Sequence, residues 1–364
     1  MSILYDEGQQ AIASESRRVV EARSDKARAL ALLETVGAYD HAFWQTAIEQ
    51  GWTGLAIPEA FGGIGLSLVE LGIVAQACGG STAGAPFLTS NDGAAAALLG
   101  SENEELKAEW LPRLASGEVI AALAFGEGQS PLPSRPLVRF TAAGLAGEKP
   151  GVPAAAHARI AVVWALAEGE PALVLCDLTD VSKSVIEGFD NSRGYADLTF
   201  AATPGQVIAT GAHASALARD VLARMAVVTA HEQVGGAEAL MTIARDYAVT
   251  RKAFGQQIGA FQSVKHRIAE MYGLIEIARA NCIHAASREG QADFLKAAAA
   301  ARLSATEAYD TAARDCVQIH GGIGVTWETG LHLHMRRARS LAVEQGNMFF
   351  WEDLLAGQLT GVAA

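Results

Sequence analysis

Two short stretches carry residue types suited to ligand chemistry. Arg251 to Arg267 reads Arg-Lys-Ala-Phe-Gly-Gln-Gln-Ile-Gly-Ala-Phe-Gln-Ser-Val-Lys-His-Arg and breaks two long helical patterns with a compact turn. Gln318 to Gly324 reads Gln-Ile-His-Gly-Gly-Ile-Gly and closes a third helical pattern. A guanidinium, an aromatic and several amides thus sit beside glycines that let the backbone approach a ligand closely. That combination suits an anionic, hydrogen-bonding ligand such as a pyrophosphate. The competing reading is that Arg251 caps a helix C-terminus and the glycines only end helices.

The elements that must position these groups follow from composition and pattern. The chain has 364 residues, half of them apolar, enough for a large core in several layers. Its formal charge of -12 and lack of a basic run argue against a nucleic-acid partner. Met1 to Glu7 lacks the basic-then-apolar pattern of a signal peptide, and no stretch has transmembrane length without charges. Cys78, Cys176, Cys282 and Cys316 have no paired spacing and read as buried free thiols of a reducing, cytoplasmic compartment. His332 and His334 point to different helix faces, so no metal site is expected.

Residues 1–116 read as a helical domain, with helical spacing over Gln9–Leu33 and a helix over His41–Gln50. The glycine-rich stretch Gly51–Gly65 interrupts it, and Ser67 with Glu70 reads as a capping box opening a helix to about Cys78, ended by Gly79–Gly84. Pro86–Leu99 and Glu102–Ala115 are further helices. Residues 117–210 read as a β domain, with candidate strands at Val119–Phe125, Arg159–Leu166, Ala172–Leu178, Asp197–Phe200 and Gln206–Ala209 among many prolines. Residues 211–364 read as a helical bundle built on Ser215–Thr250, Phe261–Glu289 and Asp293–Gln318. The predicted fold class is mostly α with a central β domain.

In that order, with Gly51–Gly65, Arg251-Lys252-Ala253-Phe254-Gly255 running to Gln262, and Gln318–Gly324 followed by Thr326-Trp327-Glu328 and Met335-Arg336-Arg337, the chain resembles an acyl-CoA dehydrogenase. The resemblance spans nearly the whole chain. Gln233-Val234-Gly235-Gly236-Ala237 and the Thr-Trp-Glu variant are similar to bacterial members that act on bulky acyl-CoAs, sterol side chains included. It implies a C-terminal four-helix bundle, FAD, an acyl-CoA substrate, an electron-transfer acceptor and an oligomer. By the family pattern Arg251 contacts the FAD pyrophosphate, Phe254 packs near the adenosine, and Gln262, Gln318, Gly321 and Gly322 hold the same region, reaching the flavin of a neighbouring subunit.

The sequence departs from the family at the reaction centre. Where members carry a Thr-Glu-Pro-x-Ala-Gly-Ser-Asp segment, this chain has Ala124-Phe125-Gly126-Glu127-Gly128-Gln129-Ser130-Pro131, and only Glu127 keeps its place. After a turn expected at Gly147-Glu148-Lys149, an aromatic and a threonine give way to Gly151-Val152-Pro153-Ala154-Ala155. Abstraction of the α-proton of a thioester needs a placed carboxylate. Counting from Met335-Arg336, the family's base falls on Gln345, which cannot take a proton. The two other family positions hold Asn347 and Met225 next to Arg224. Three readings stay open: Glu344 beside Gln345 as the base of an α,β-dehydrogenation; a non-catalytic partner in a heteromer with a second, catalytic acyl-CoA dehydrogenase-like subunit; or a different base or reaction on the same fold, oxygen-dependent or nitro-compound chemistry included. Whether the chain is itself an enzyme is left open. Glu232 beside His231 reads as packing or a solvated face, Glu328 as a helix start, and Arg336, Arg337 and Arg339 as a basic patch facing CoA phosphates or acidic surface.

Overall fold

Several helices in the first part of the chain start at short polar side chains. The computed structural model describes residues 5–82 and 87–360. Helix α1, Glu7–Arg23, opens with a capping box in which Asp6 accepts from Gln9 N at 2.8 Å and Gln9 accepts from Asp6 N at 3.2 Å. The helical pattern over Gln9–Leu33 divides at Asp25, whose carboxylate accepts from Ala27 N at 2.8 Å and starts α2, Lys26–Glu34. Helix α3 is His41–Glu49, and the expected Ser67–Glu70 capping box opens α4, Leu68–Gly80. Ala83, Gly84 and Pro86 lie outside the described residues. Helices α5, Phe87–Leu99, and α6, Glu104–Ala115, complete this part. Gly51–Gly65 folds into two 3-10 turns, and a Cβ on Gly63 would lie 1.9 Å from the Ile57 carbonyl oxygen, so only glycine fits there.

The middle of the chain forms one sheet of β1 (Ala121–Ala124), β2 (Arg139–Thr141), β3 (Gly144–Val152), β4 (Ile160–Ala167), β5 (Glu170–Asp177), β6 (Ser182–Val185), β7 (Ala196–Thr203) and β8 (Gln206–Thr210). The strand order is β6-β7-β3-β2-β4-β5-β8, and β1 pairs in parallel with β4. Strands β2, β3 and β6 were not expected: β2 and β6 are only three and four residues long, and in β3 glycines, Lys149 and Pro150 mask any alternation. The turn expected at Gly147-Glu148-Lys149 is instead the interior of β3, paired to Phe200, Thr199 and Leu198 of β7.

Helix α7, Gly211–Thr250, runs 40 residues and is the axis of the molecule. From Val221 to Ala237 every residue except Arg224 is buried, as in a helix surrounded by others. It packs on α4, α5, β5 and the two following long helices, α8 (Gln262–Ser287) and α9 (Phe294–His320). The contact with α4 is backbone to backbone: a Cβ on Gly235 would lie 1.8 Å from Gln76 O, and one on Gly79 would lie 1.9 Å from Glu232 O. Helices α10, Leu331–Leu341, and α11, Met348–Thr360, end the described chain. Glu328 does not start α10. It lies in a 3-10 turn, Trp327–Thr329, and Gly330 at φ +73 separates the two. All four cysteines are buried and free. No described helix is long and apolar enough to cross a membrane. The architecture is the mostly α class with a β domain that the sequence predicts.

Candidate functional site

The Arg251 turn is a short hairpin between two helices. Arg251 is the C-cap of α7, its N–H donating to Tyr247 O at 2.8 Å, and its carbonyl accepts from Ile258 N at 2.9 Å. Lys252–Ala253 pairs antiparallel with Gln256–Gln257. The tip residues Phe254 and Gly255 both have left-handed φ, +51 and +82, the geometry of a type I′ turn. A phenylalanine in that region is strained, and this one is 95% exposed. Helix α8 then begins at Gln262 with no side-chain cap, leaving its positive end open to an anion. Arg251 and Gln262 are exposed.

The second turn lies at the same end of the bundle. Gln318 and Gly321 are at the exposed C-terminus of α9, and the His320 ring stacks on Tyr247 of α7 with centroids 4.1 Å apart. Cβ atoms on Gly255, Gly321 or Gly322 would meet nothing within 4 Å, so this backbone is open to approach. Arg251, Phe254, Gln262, Gln318, Gly321 and Gly322 therefore belong to one exposed end. Their donors and open amides fit a pyrophosphate and an adenosine.

Glu344, Gln345, Asn347 and Met225 are elsewhere, around a cavity of about 280 Å³. Both segments that depart from the family pattern line it, through Phe125, Gln129 and Ser130 on one side and Gly151, Val152 and Pro153 on the other. Lys149 fixes the first of these: its Nζ, fully buried, donates to Phe125 O at 3.1 Å and to Glu127 at 2.6 Å. Burial pulls the Lys149 ammonium down to about 8 against the pull of Glu127. Gln345 holds a left-handed φ of +55, and its side-chain oxygen accepts from Thr229 Oγ1 at 2.9 Å.

Among the described residues Glu344 is the single carboxylate lining this cavity, and it is engaged. Arg193 Nε and its terminal nitrogen donate to the two Glu344 oxygens at 2.8 and 2.7 Å, and Tyr195 donates a further hydrogen bond. Burial raises the Glu344 carboxyl's pKa, but the Arg193 charge, its hydrogen bonds and Tyr195 outweigh this and hold it below the usual carboxylate range. Such a carboxylate is a weakened proton acceptor.

Behind this pair the structure assembles a buried ion cluster that the sequence did not reveal. Arg193 also reaches Glu232 at 3.3 Å. Arg337 donates to Asp190 at 2.6 Å, Glu232 at 2.8 Å and Ser192 Oγ at 2.8 Å. Arg302 donates to Gln233, to Thr306 Oγ1 at 3.0 Å, and to the carbonyls of Leu341 and Glu344, the latter at 2.9 Å, so it pins the loop that carries Glu344. Glu232 is thus neither solvated nor simple packing. The expected basic patch dissolves: Arg337 is wholly buried, Arg336 donates to Phe189 O and lies over its ring, and Arg339 pairs with Asp310. Arg224 beside Met225 is held by Asp92 at 2.7 and 2.9 Å and by Glu289.

The cavity and the exposed turns share α7 but are far apart on it. From Met225 to the helix end at Thr250 the axis rises about 38 Å at about 1.5 Å per residue. The two regions therefore lie at well-separated points of α7.

With this geometry in place, the comparisons agree on the class. Family models for the acyl-CoA dehydrogenase N-terminal and C-terminal domains match residues 6–118 and 215–348. The chain belongs to the acyl-CoA dehydrogenase family. Among curated relatives, acyl-CoA dehydrogenase IpdE2 of Mycobacterium tuberculosis is 31% identical over 305 residues, 84% of this chain and 82% of that one. Among solved structures, the steroid acyl-CoA dehydrogenase Tcur3481-Tcur3483, a G363A variant, superposes with a TM-score of 0.87 at 25% identity, covering 98% of each chain. The ChsE4-ChsE5 complex from Mycobacterium tuberculosis superposes with a TM-score of 0.89 at 23% identity over all of both chains, a likeness of fold.

Proposed function

We propose that this chain is the non-catalytic partner subunit of a heteromeric acyl-CoA dehydrogenase. Its Arg251–Gln262 and Gln318–Gly322 turns complete the pyrophosphate and adenosine end of an FAD whose flavin ring lies in a catalytic subunit. In that assembly FAD supplies the hydride acceptor for α,β-dehydrogenation of an acyl-CoA and passes the electrons to an electron-transfer acceptor. Arg251 offers paired donors to the pyrophosphate, the exposed glycines offer open backbone, and the uncapped end of α8 favours the negative charge. The names of two solved relatives, each a pair of chains, support a two-subunit assembly, and the steroid acyl-CoA dehydrogenase among them supports a bulky acyl-CoA substrate.

The observation that carries this reading is the cavity of the chain itself. All three family base positions line it as Gln345, Asn347 and Met225, and its one carboxylate, Glu344, is gripped by Arg193. The test is co-expression with candidate catalytic subunits of the same family. A stable complex that gains FAD and dehydrogenates acyl-CoA, with turnover abolished by removing the other subunit's base and kept when Glu344 becomes Gln, supports the assignment. Acyl-CoA dehydrogenation by this chain alone would overturn it.

A further inference from the structure

We propose that His320 is a positioning residue for FAD: its stack on Tyr247 clamps the two flavin-contacting turns together. The inference rests on the reading of those turns given above. Tyr247 lies one helical turn before Arg251, and its carbonyl accepts the Arg251 N–H at 2.8 Å. His320 is the last residue of α9, directly before Gly321 at φ +64. The two rings lie 4.1 Å apart at 20°, a stacked contact joining the end of one turn to the start of the other.

The tips of the turns are open, while Ile258 beneath the first packs against the core. Around Gly255, Gly321 and Gly322 the space a Cβ would take is empty, and Phe254 is 95% exposed. Their relative placement therefore depends on what lies beneath them. His320 is well suited to that role because its ring cannot swing freely. Its Nδ1 is 2.8 Å from Cys316 O, and a carbonyl only accepts, so Nδ1 carries the hydrogen and the tautomer and rotamer are both set. A ring fixed to α9 and stacked on α7 sets the separation between Arg251 and the Gln318–Gly322 amides. A bidentate phosphate contact is sensitive to that separation.

The test uses the flavin-carrying assembly, stripped of FAD and titrated with FAD by fluorescence. His320→Ala should weaken FAD binding by more than about twofold and up to about tenfold, the range an aromatic pair contributes. His320→Phe keeps a ring to stack but drops the bond to Cys316, so it should lose clearly less than His320→Ala. Tyr247→Leu, which keeps apolar volume, should match His320→Ala, and the double variant should be no weaker than either single one. Assembly mass and thermal midpoint are read alongside. A His320→Ala affinity within twofold of the parent overturns the clamp, as does an equal loss in His320→Phe. If His320→Ala fails to assemble, Tyr247→Leu decides by the same criterion. Arg251→Ala separates the two claims: no change in FAD affinity there overturns the assignment of the turns, whereas loss there with none in His320→Ala and Tyr247→Leu overturns the clamp alone.

Discussion

Arg193 grips both carboxylate oxygens of Glu344, at 2.8 and 2.7 Å, in the wall of a cavity between the β domain and the helices. The two residues are far apart in the chain, on the β6–β7 loop and the α10–α11 loop, and both are buried. The pair makes Glu344 part of the scaffold. Glu344→Gln should leave acyl-CoA-dependent flavin reduction by the assembly unchanged, yet cost about 3 kcal/mol of stability by leaving Arg193 short of a charge partner. Urea unfolding and stopped-flow bleaching read the two effects separately. Loss of bleaching in a variant of undiminished stability would return Glu344 to the role of base.

Acid should destabilise the fold in two stages. Burial holds His231 at about 4 and His334 at about 3 against an ordinary 6.5. The unfolded chain therefore binds more protons between those values, and stability falls as pH drops below 6.5, by up to about 1.4 kcal/mol per pH unit for each histidine. Asp190 and Glu344 have folded values below their ordinary 3.8 and 4.5, so their contribution is intact above that range and lost as pH falls through it. Urea midpoints from pH 7 to 5 should decline with an unchanged m value. A flat profile would contradict neutral burial of the two histidines.

Two glycine substitutions should separate scaffold from site. Gly235→Ala places a Cβ 1.8 Å from Gln76 O and forces α4 and α7 apart, for about 3 kcal/mol or more in lost stability. Gly322→Ala meets nothing within 4 Å and should leave the thermal midpoint unchanged. If its backbone lies against the pyrophosphate, the same change lowers FAD retention in the assembly. Undiminished retention would place Gly322 outside the site.

Much of the fold was legible because it is written in local signals. The Ser67–Glu70 box, the break at Gly51–Gly65 and the three long helices each depend on residues within a few positions. Counting from Met335-Arg336 reached Gln345, which does line the cavity with Asn347 and Met225. The ion cluster was not legible, since Asp190, Arg193, Glu232, Arg337 and Glu344 come from four separated segments. A signal existed: Glu232 is the lone acid in the buried run Met225–Ala237 of α7, where an unpaired charge would be prohibitive. Strand β3 was missed because Gly147-Glu148-Lys149 read as a turn, although Lys149 is buried against Glu127.

On the proposed reading, this chain completes another subunit's flavin site and holds no working one of its own. The most direct measurement is the FAD content of the chain purified alone, compared with its co-expressed complex, by absorbance and by denaturation to release the flavin. The account predicts a nearly colourless chain alone and a yellow complex that loses flavin when Arg251 is changed to Ala. A homo-oligomer of this chain with one FAD per subunit, bleached by an acyl-CoA, would contradict it.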